Sequence, residues 1–98
     1  MTDAITIDTF RPLLHGAFTI HAGDAGTQRA ELAEVRSVGE APDGGREPFA
    51  LLFRAAEADG VLPQATYRLE NDQLGELEVF IVPVAAQDGA VDYEAIFT

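Results

Sequence analysis

The residues of this chain best suited to metal or proton chemistry are its two histidines, His15 and His21, with Asp24 following closely. A zinc-type site needs three or four such ligands converging at short range. The plainer reading of His15 is a cation resting against a helix C-terminus. Carboxylates form the second set. Glu76 and Glu78 lie at period two on one stretch, Asp92 and Glu94 on another. If those stretches form a hairpin, the pairs can face each other. A glycosidase needs two carboxylates about 5–9.5 Å apart beside a cleft. A solvated acidic strand face, which also opposes edge-to-edge aggregation, explains the same residues without chemistry.

Ser37 is the sole serine and there is no cysteine, so nucleophilic catalysis has one conventional candidate. Its context, Arg36-Ser37-Val38, is not a nucleophile elbow. The acidic turns Asp43-Gly44, Asp59-Gly60 and Asp88-Gly89 invite a calcium reading, but none carries the alternating oxygen ligands and distal Glu of a calcium loop. Turn chemistry alone accounts for Asp-Gly. Gly23, Gly26, Gly44 and Gly45 form no phosphate-cradling motif. Tyr67 and Tyr93 read as core residues with a wet hydroxyl. No catalytic, cofactor-binding or metal-ligating residue is assigned, and the protein is expected not to be an enzyme.

The 98 residues suit one domain, spanning 1–98. Seventeen acids against six bases give a net charge of −11. Such a chain repels phosphate backbones and anionic membrane surfaces, so neither nucleic acid nor membrane is the expected partner. All six bases are Arg. Together with the many alanines this fits a GC-rich coding bias, and a salt-adapted surface is the other explanation. The first twenty residues carry Asp3 and Asp8, no early basic cluster and no continuous apolar core. That is not the pattern of a signal peptide, so the chain is expected to be cytoplasmic as synthesised. Later incorporation into an extracellular particle stays open.

The elements that would position these residues are mostly strands. Leu77 to Val84 is the longest apolar run, and at its centre both parities are apolar, which predicts a strand covered on both faces. Pro83 should interrupt its pairing. Asp88-Gly89 is a hairpin turn signal. Val91, Tyr93, Ala95 and Phe97 then alternate with acids as a half-buried final strand. Upstream, Ala4 to Ile7 is a short strand or a lead-in whose Ile5 and Ile7 pack on the core. Asp8 to Gly16 reads as one short helix, capped by Asp8 or Thr9, with Pro12 in its first turn and Gly16 just past its end. Phe10, Leu13 and Leu14 would share its buried face.

Ala17 to His21 predicts a strand and Gly23 to Gly26 a turn. Thr27 to Val38 fits a long strand with a bulge near Ala33, where apolar parity shifts; an amphipathic helix is the alternative. Gly39 to Pro48 is a loop. Phe49 to Phe53 and Gln64 to Glu70 are further strands, and Asn71-Asp72 turns the chain. Short strands punctuated by turns predict a mainly β fold: a small antiparallel β-barrel or sandwich of about six strands with one short N-terminal helix.

Several stretches together carry a resemblance. They are Phe10-Arg11-Pro12-Leu13, Arg46-Glu47-Pro48-Phe49-Ala50-Leu51, Leu62-Pro63-Gln64-Ala65-Thr66-Tyr67, Leu77 to Val84, and Tyr93-Glu94-Ala95-Ile96-Phe97. Over nearly its whole length the chain resembles a bacterial family of proteins of similar size and unknown function, associated with gene clusters encoding phage-tail-collar-like proteins. The resemblance implies a setting of tail-like particles and no catalytic residues. The matching residues read as structural. Pro48 and Pro63 stand at strand starts, and Glu47 and Glu94 can pair with Arg46 or Arg68. The expected function is a non-enzymatic structural or accessory interaction protein with a protein partner, its oligomeric state unknown, and the alternative is a small-ligand-binding β-barrel without a defined cofactor.

Overall fold

Period-two alternation along most of the chain produces strands, and the strands close on themselves. The computed structural model describes residues 5–40, 47–58 and 60–97. A short helix α1 (Ile7–Phe10) runs into a 3₁₀ turn (Arg11–Leu13), and six strands follow: β1 (Ala17–His21), β2 (Thr27–Ser37), β3 (Phe49–Ala55), β4 (Ala65–Asn71), β5 (Gly75–Gln87) and β6 (Ala90–Phe97). All pairings are antiparallel, and the order β1-β2-β3-β6-β5-β4 closes into a barrel.

Two long strands turn the corners. β2 pairs with β1 through Thr27–Glu31 and with β3 from Glu31 to Ser37, the register shifting between Leu32 and Glu34. The bulge expected near Ala33 is therefore present, and the helical alternative for this segment is not. β5 pairs with β4 through Gly75–Ile81 and with β6 through Val82–Gln87, with a shift between Pro83 and Ala85. Pro83 lacks an N–H for the ladder, which accounts for an interruption at that point. Bulges bend a strand and raise its twist, so each long strand passes from one group of neighbours to the next.

The inward parity fills the barrel. Phe18, Ile20, Leu32, Leu51, Phe53, Leu69, Ile81 and Tyr93 are all buried. Edge-to-face contact between Phe18 and Phe53, at 5.1 Å between centroids, joins β1 to β3 across the inside. Burying such side chains stabilises the fold by roughly 1.5–3 kcal/mol each.

α1 and its 3₁₀ extension close one end. A four-residue helix has no stability of its own; it forms because Ile7, Phe10 and Leu13 are buried in the barrel. The Phe10 ring lies 5.8 Å from Phe49 and 5.6 Å from Phe97, which stack on each other at 4.7 Å. Ile5 packs against the same core, as a lead-in would, while Ala4 lies outside the described residues.

Several local expectations are corrected. The N-cap is Thr6, not Asp8 or Thr9, because the helix begins at Ile7; the Thr9 hydroxyl instead accepts from the Thr6 amide at 3.1 Å. Leu14 is exposed, so Phe10 and Leu13 carry the buried face without it. The left-handed residue after the helix is His15 (φ 72°) rather than Gly16. Gly16 is needed for a different reason: a Cβ there would stand 2.9 Å from the Leu13 carbonyl oxygen. β5 is not covered on both faces either, since Phe80 and Val84 are exposed. The Asp88-Gly89 turn is as expected, with positive φ at both residues (55° and 83°). The centre of the Gly39–Pro48 loop, with Asp43-Gly44, and Asp59 of the Asp59-Gly60 turn lie outside the described residues.

Candidate functional site

The two histidines flank β1, His15 just ahead of it and His21 as its last residue, and each finds its own carboxylate. The 3₁₀ turn delivers His15 just before β1, and its amide donates to the Leu32 carbonyl at 2.7 Å. Its ring Nδ1 lies 2.9 Å from Glu31 Oε2. His21, the last residue of β1, has Nε2 2.9 Å from Glu70 Oε1. A carboxylate only accepts, so each of these ring nitrogens carries the proton. These are two separate one-to-one pairs. Asp24 sits in the exposed turn after β1 and joins neither. Among the described residues no group of three or more His, Cys, Asp or Glu side chains converges as a metal site would require.

The two acid pairs are not brought face to face. In the β4–β5 ladder Glu76 lies opposite Glu70, and Glu78 opposite Arg68. Asp92 and Glu94 instead answer to cations on other strands, Arg54 on the adjacent β3 and Arg36 on β2 one strand further. Arg54 grips Asp92 with two bonds, Nε to Oδ1 at 2.8 Å and a terminal nitrogen to Oδ2 at 3.1 Å. That carboxylate, first by its hydrogen bond and then by its charge, holds the Arg54 guanidinium above its ordinary pKa. Glu94 accepts from Arg36 at 3.1 Å rather than pairing with Arg68. The hairpin register is responsible: it places Val82 across from Glu94 and Ala85 across from Asp92, far along β5 from Glu76 and Glu78.

Ser37, at the end of β2, has its hydroxyl 3.1 Å from the Gly39 carbonyl and also against the Glu47 carboxylate. Those partners serve the loop and include no histidine. Glu47 is thus engaged by Ser37; Arg46 lies outside the described residues.

Two polar groups that alternation alone does not single out tie the barrel internally. The Tyr93 hydroxyl is not wet: the residue is fully buried, its oxygen accepts from the Leu62 amide at 3.0 Å, and it donates to Gln28 Oε1 at 2.9 Å. Gln28 in turn donates to the Gly60 carbonyl at 2.7 Å. Asn71, also buried, accepts from the Gln73 and Leu74 amides and donates to the Ala17 carbonyl. The readable signal for Asn71 was its place at a turn, where Asn side chains mimic backbone. Tyr67 keeps a more exposed hydroxyl, bonded to the Pro63 carbonyl at 2.6 Å.

With the interior filled by side chains, the open space lies outside. A groove of about 590 Å³ runs over β1, β2 and the end of β3, lined by His15, Arg29, Glu31, Arg54 and Glu57 among others. Its acids and bases are mixed in sign. Smaller depressions of about 290 and 320 Å³ flank the β5–β6 turn. Away from these grooves the outer surface also exposes large apolar side chains. Phe80 on β5 and Ile96 on β6 are each 53% exposed, and Val84 is 51% exposed. Phe80 and Ile96 stand two residues beyond the Val82↔Glu94 pair, where the β5–β6 ladder stops.

Neither a curated protein nor a solved structure matches the chain. A family model does, over residues 5–97, which take in the whole described barrel together with its helical plug. By that match the chain belongs to the family defined by the domain of unknown function DUF6916.

Proposed function

We propose that this protein is a non-enzymatic interaction module, a structural or accessory component of a larger assembly of the tail-like particle or fibre kind. The observation that supports the reading is the exposed apolar side chains on the outside of β5 and β6, Phe80 and Ile96, with Val84 further along. Single exposed apolar residues are ordinary, but a group of large ones on adjoining strands marks a contact surface. The rest of the site is consistent with a module of this type: His15, His21, Asp92 and Glu94 each meet a single local partner instead of converging on a common centre. The resemblance to a family associated with tail-collar-like gene clusters supplies the setting. The alternative, a barrel enclosing a small ligand, is disfavoured by the buried side chains that occupy its centre.

The test is native mass spectrometry of the protein isolated gently from its own host, combined with crosslinking. A stoichiometric protein partner, crosslinked beside Phe80 and Ile96, is expected. The Phe80→Ser/Ile96→Ser variant should keep its melting temperature and lose that partner. A bare monomer, a bound small-molecule mass, or a partner indifferent to both substitutions would overturn the reading.

A further inference from the structure

The seven residues Gly75–Ile81 of β5 pair with β4 on one side. On the other side β6 takes over only from Val82, and among the described residues no backbone group bonds to Gly75–Ile81 there. This is a strand of ordinary length with one open edge. Proteins usually blunt such an edge with lysine, proline or a bulge. Here Pro83 and the register shift both fall beyond the open stretch.

The side chains along the edge specify what would fit. Glu76, Glu78 and Phe80 point outward and are exposed, while Val79 and Ile81 are buried and Leu77 packs partly against the core. Opposite Glu76 on β4 stands another acid, Glu70, so the outer face beside the edge carries three carboxylates against one guanidinium, that of Arg68. A second copy of this chain would bring its own −11 charge and the same glutamates to that edge, and like charges directly opposite destabilise a ladder. A basic strand removes the repulsion and gains cross-strand ion pairs.

Resting on the interaction-module reading, we infer that the Gly75–Ile81 edge of β5 accepts, by strand addition, an extended segment of a basic partner protein. Its outward positions carry Lys or Arg opposite Glu76 and Glu78 and an apolar residue opposite Phe80. Its inward positions carry small β-branched residues that extend the layer of Leu77, Val79 and Ile81. Main-chain bonds hold the segment and the alternating side chains select it.

The test uses the full chain, labelled with ¹⁵N, and three blocked peptides: one alternating Lys with Val or Thr and carrying a single Phe, its scrambled isomer, and its Glu counterpart. The alternating basic peptide should shift the amides of Gly75–Ile81 and protect them from exchange. It should bind roughly tenfold more tightly than either control, as two cross-strand ion pairs allow. Glu76→Lys/Glu78→Lys, both at exposed positions, should fold normally, lose that preference and reverse it toward the Glu peptide. Equal binding of the scrambled peptide, shifts elsewhere on the barrel, no shift at saturating peptide, or self-association through this edge would each overturn the inference. A host partner crosslinked beside Phe80 and Ile96 that still binds the Glu76→Lys/Glu78→Lys chain would sink strand addition while leaving the module reading intact. Absence of any host partner would sink the module reading itself.

Discussion

At the scale of single residues, the barrel depends on a few polar atoms that must be satisfied away from water. Tyr93 is the central one. Its hydroxyl is the acceptor for the Leu62 amide and a donor to Gln28, so it pins the segment before β4 to both β6 and β2. Tyr93→Phe keeps the ring's apolar contacts but strands a buried N–H, which costs the desolvation of that group, about 1–3 kcal/mol. Tyr67→Phe removes a superficially similar bond, to the Pro63 carbonyl, at a position water can reach. It should therefore cost well under half as much. Urea denaturation of the two variants separates them, and equal losses would show that the Tyr93 network is not what secures the Leu62 segment.

At the scale of elements, the join between the helical plug and β1 is the tightest piece of backbone. His15 takes a left-handed conformation, and its amide reaches Leu32 of β2. Gly16 then donates to the Leu13 carbonyl at 2.8 Å and accepts from the Leu32 amide at 3.0 Å. A methyl group at Gly16 would press on the backbone oxygen of Leu13, an atom that cannot swing aside. Gly16→Ala should destabilise by roughly 1–3 kcal/mol, the usual cost of overpacking. Gly60→Ala is the contrast: a Cβ there meets nothing within 4 Å, so no overpacking opposes it. Restricting the unfolded chain should make that change neutral or stabilising by about 0.4–1 kcal/mol. Thermal melts of the pair should move in opposite directions, and a harmless Gly16→Ala would mean that the plug shifts freely on the barrel.

Much of the element pattern was legible beforehand because a half-buried strand writes its own facing into the sequence. Val91, Tyr93 and Ala95 alternate with Asp92 and Glu94, and that is how β6 is buried. The parity change near Ala33 marked the β2 bulge for the same reason. Phe80 was misread because apolarity records what a side chain would tolerate, not whether anything covers it. The partners of the acid pairs were hidden by register, which is decided by turns and bulges tens of residues away. Tyr93 and Gln28 are 65 positions apart, so no local pattern could have joined them. Between His15 and Gly16 the sequence favours glycine for the left-handed position, yet the crowding by Leu13 reverses the choice.

At the scale of the whole molecule, charge is the least balanced quantity. Seventeen acids and six arginines leave eleven negative charges in excess on a small barrel, and even within the β4–β5 ladder Glu70 is set against Glu76. The ion pairs that oppose this, including Arg54–Asp92, Arg36–Glu94 and Arg11–Asp8, are largely solvent-facing. Salt therefore screens attraction and repulsion alike, over a distance of about 10 Å at 0.1 M and about 3 Å at 1 M. With repulsion in excess, added NaCl should stabilise the fold. A gain on the order of 1 kcal/mol would raise the melting temperature by about 4–8 °C for a domain of this size. Chloride is the right anion, since sulfate would also strengthen apolar burial and confound the result. A rise that levels off once the charges are screened is the outcome of ordinary self-repulsion. A protein folded only in concentrated salt would instead mark the acidic surface as salt-adapted. A melting temperature that falls with NaCl would mean that the paired arginines outweigh the excess of eleven negative charges, and that the acidity is organised rather than merely abundant.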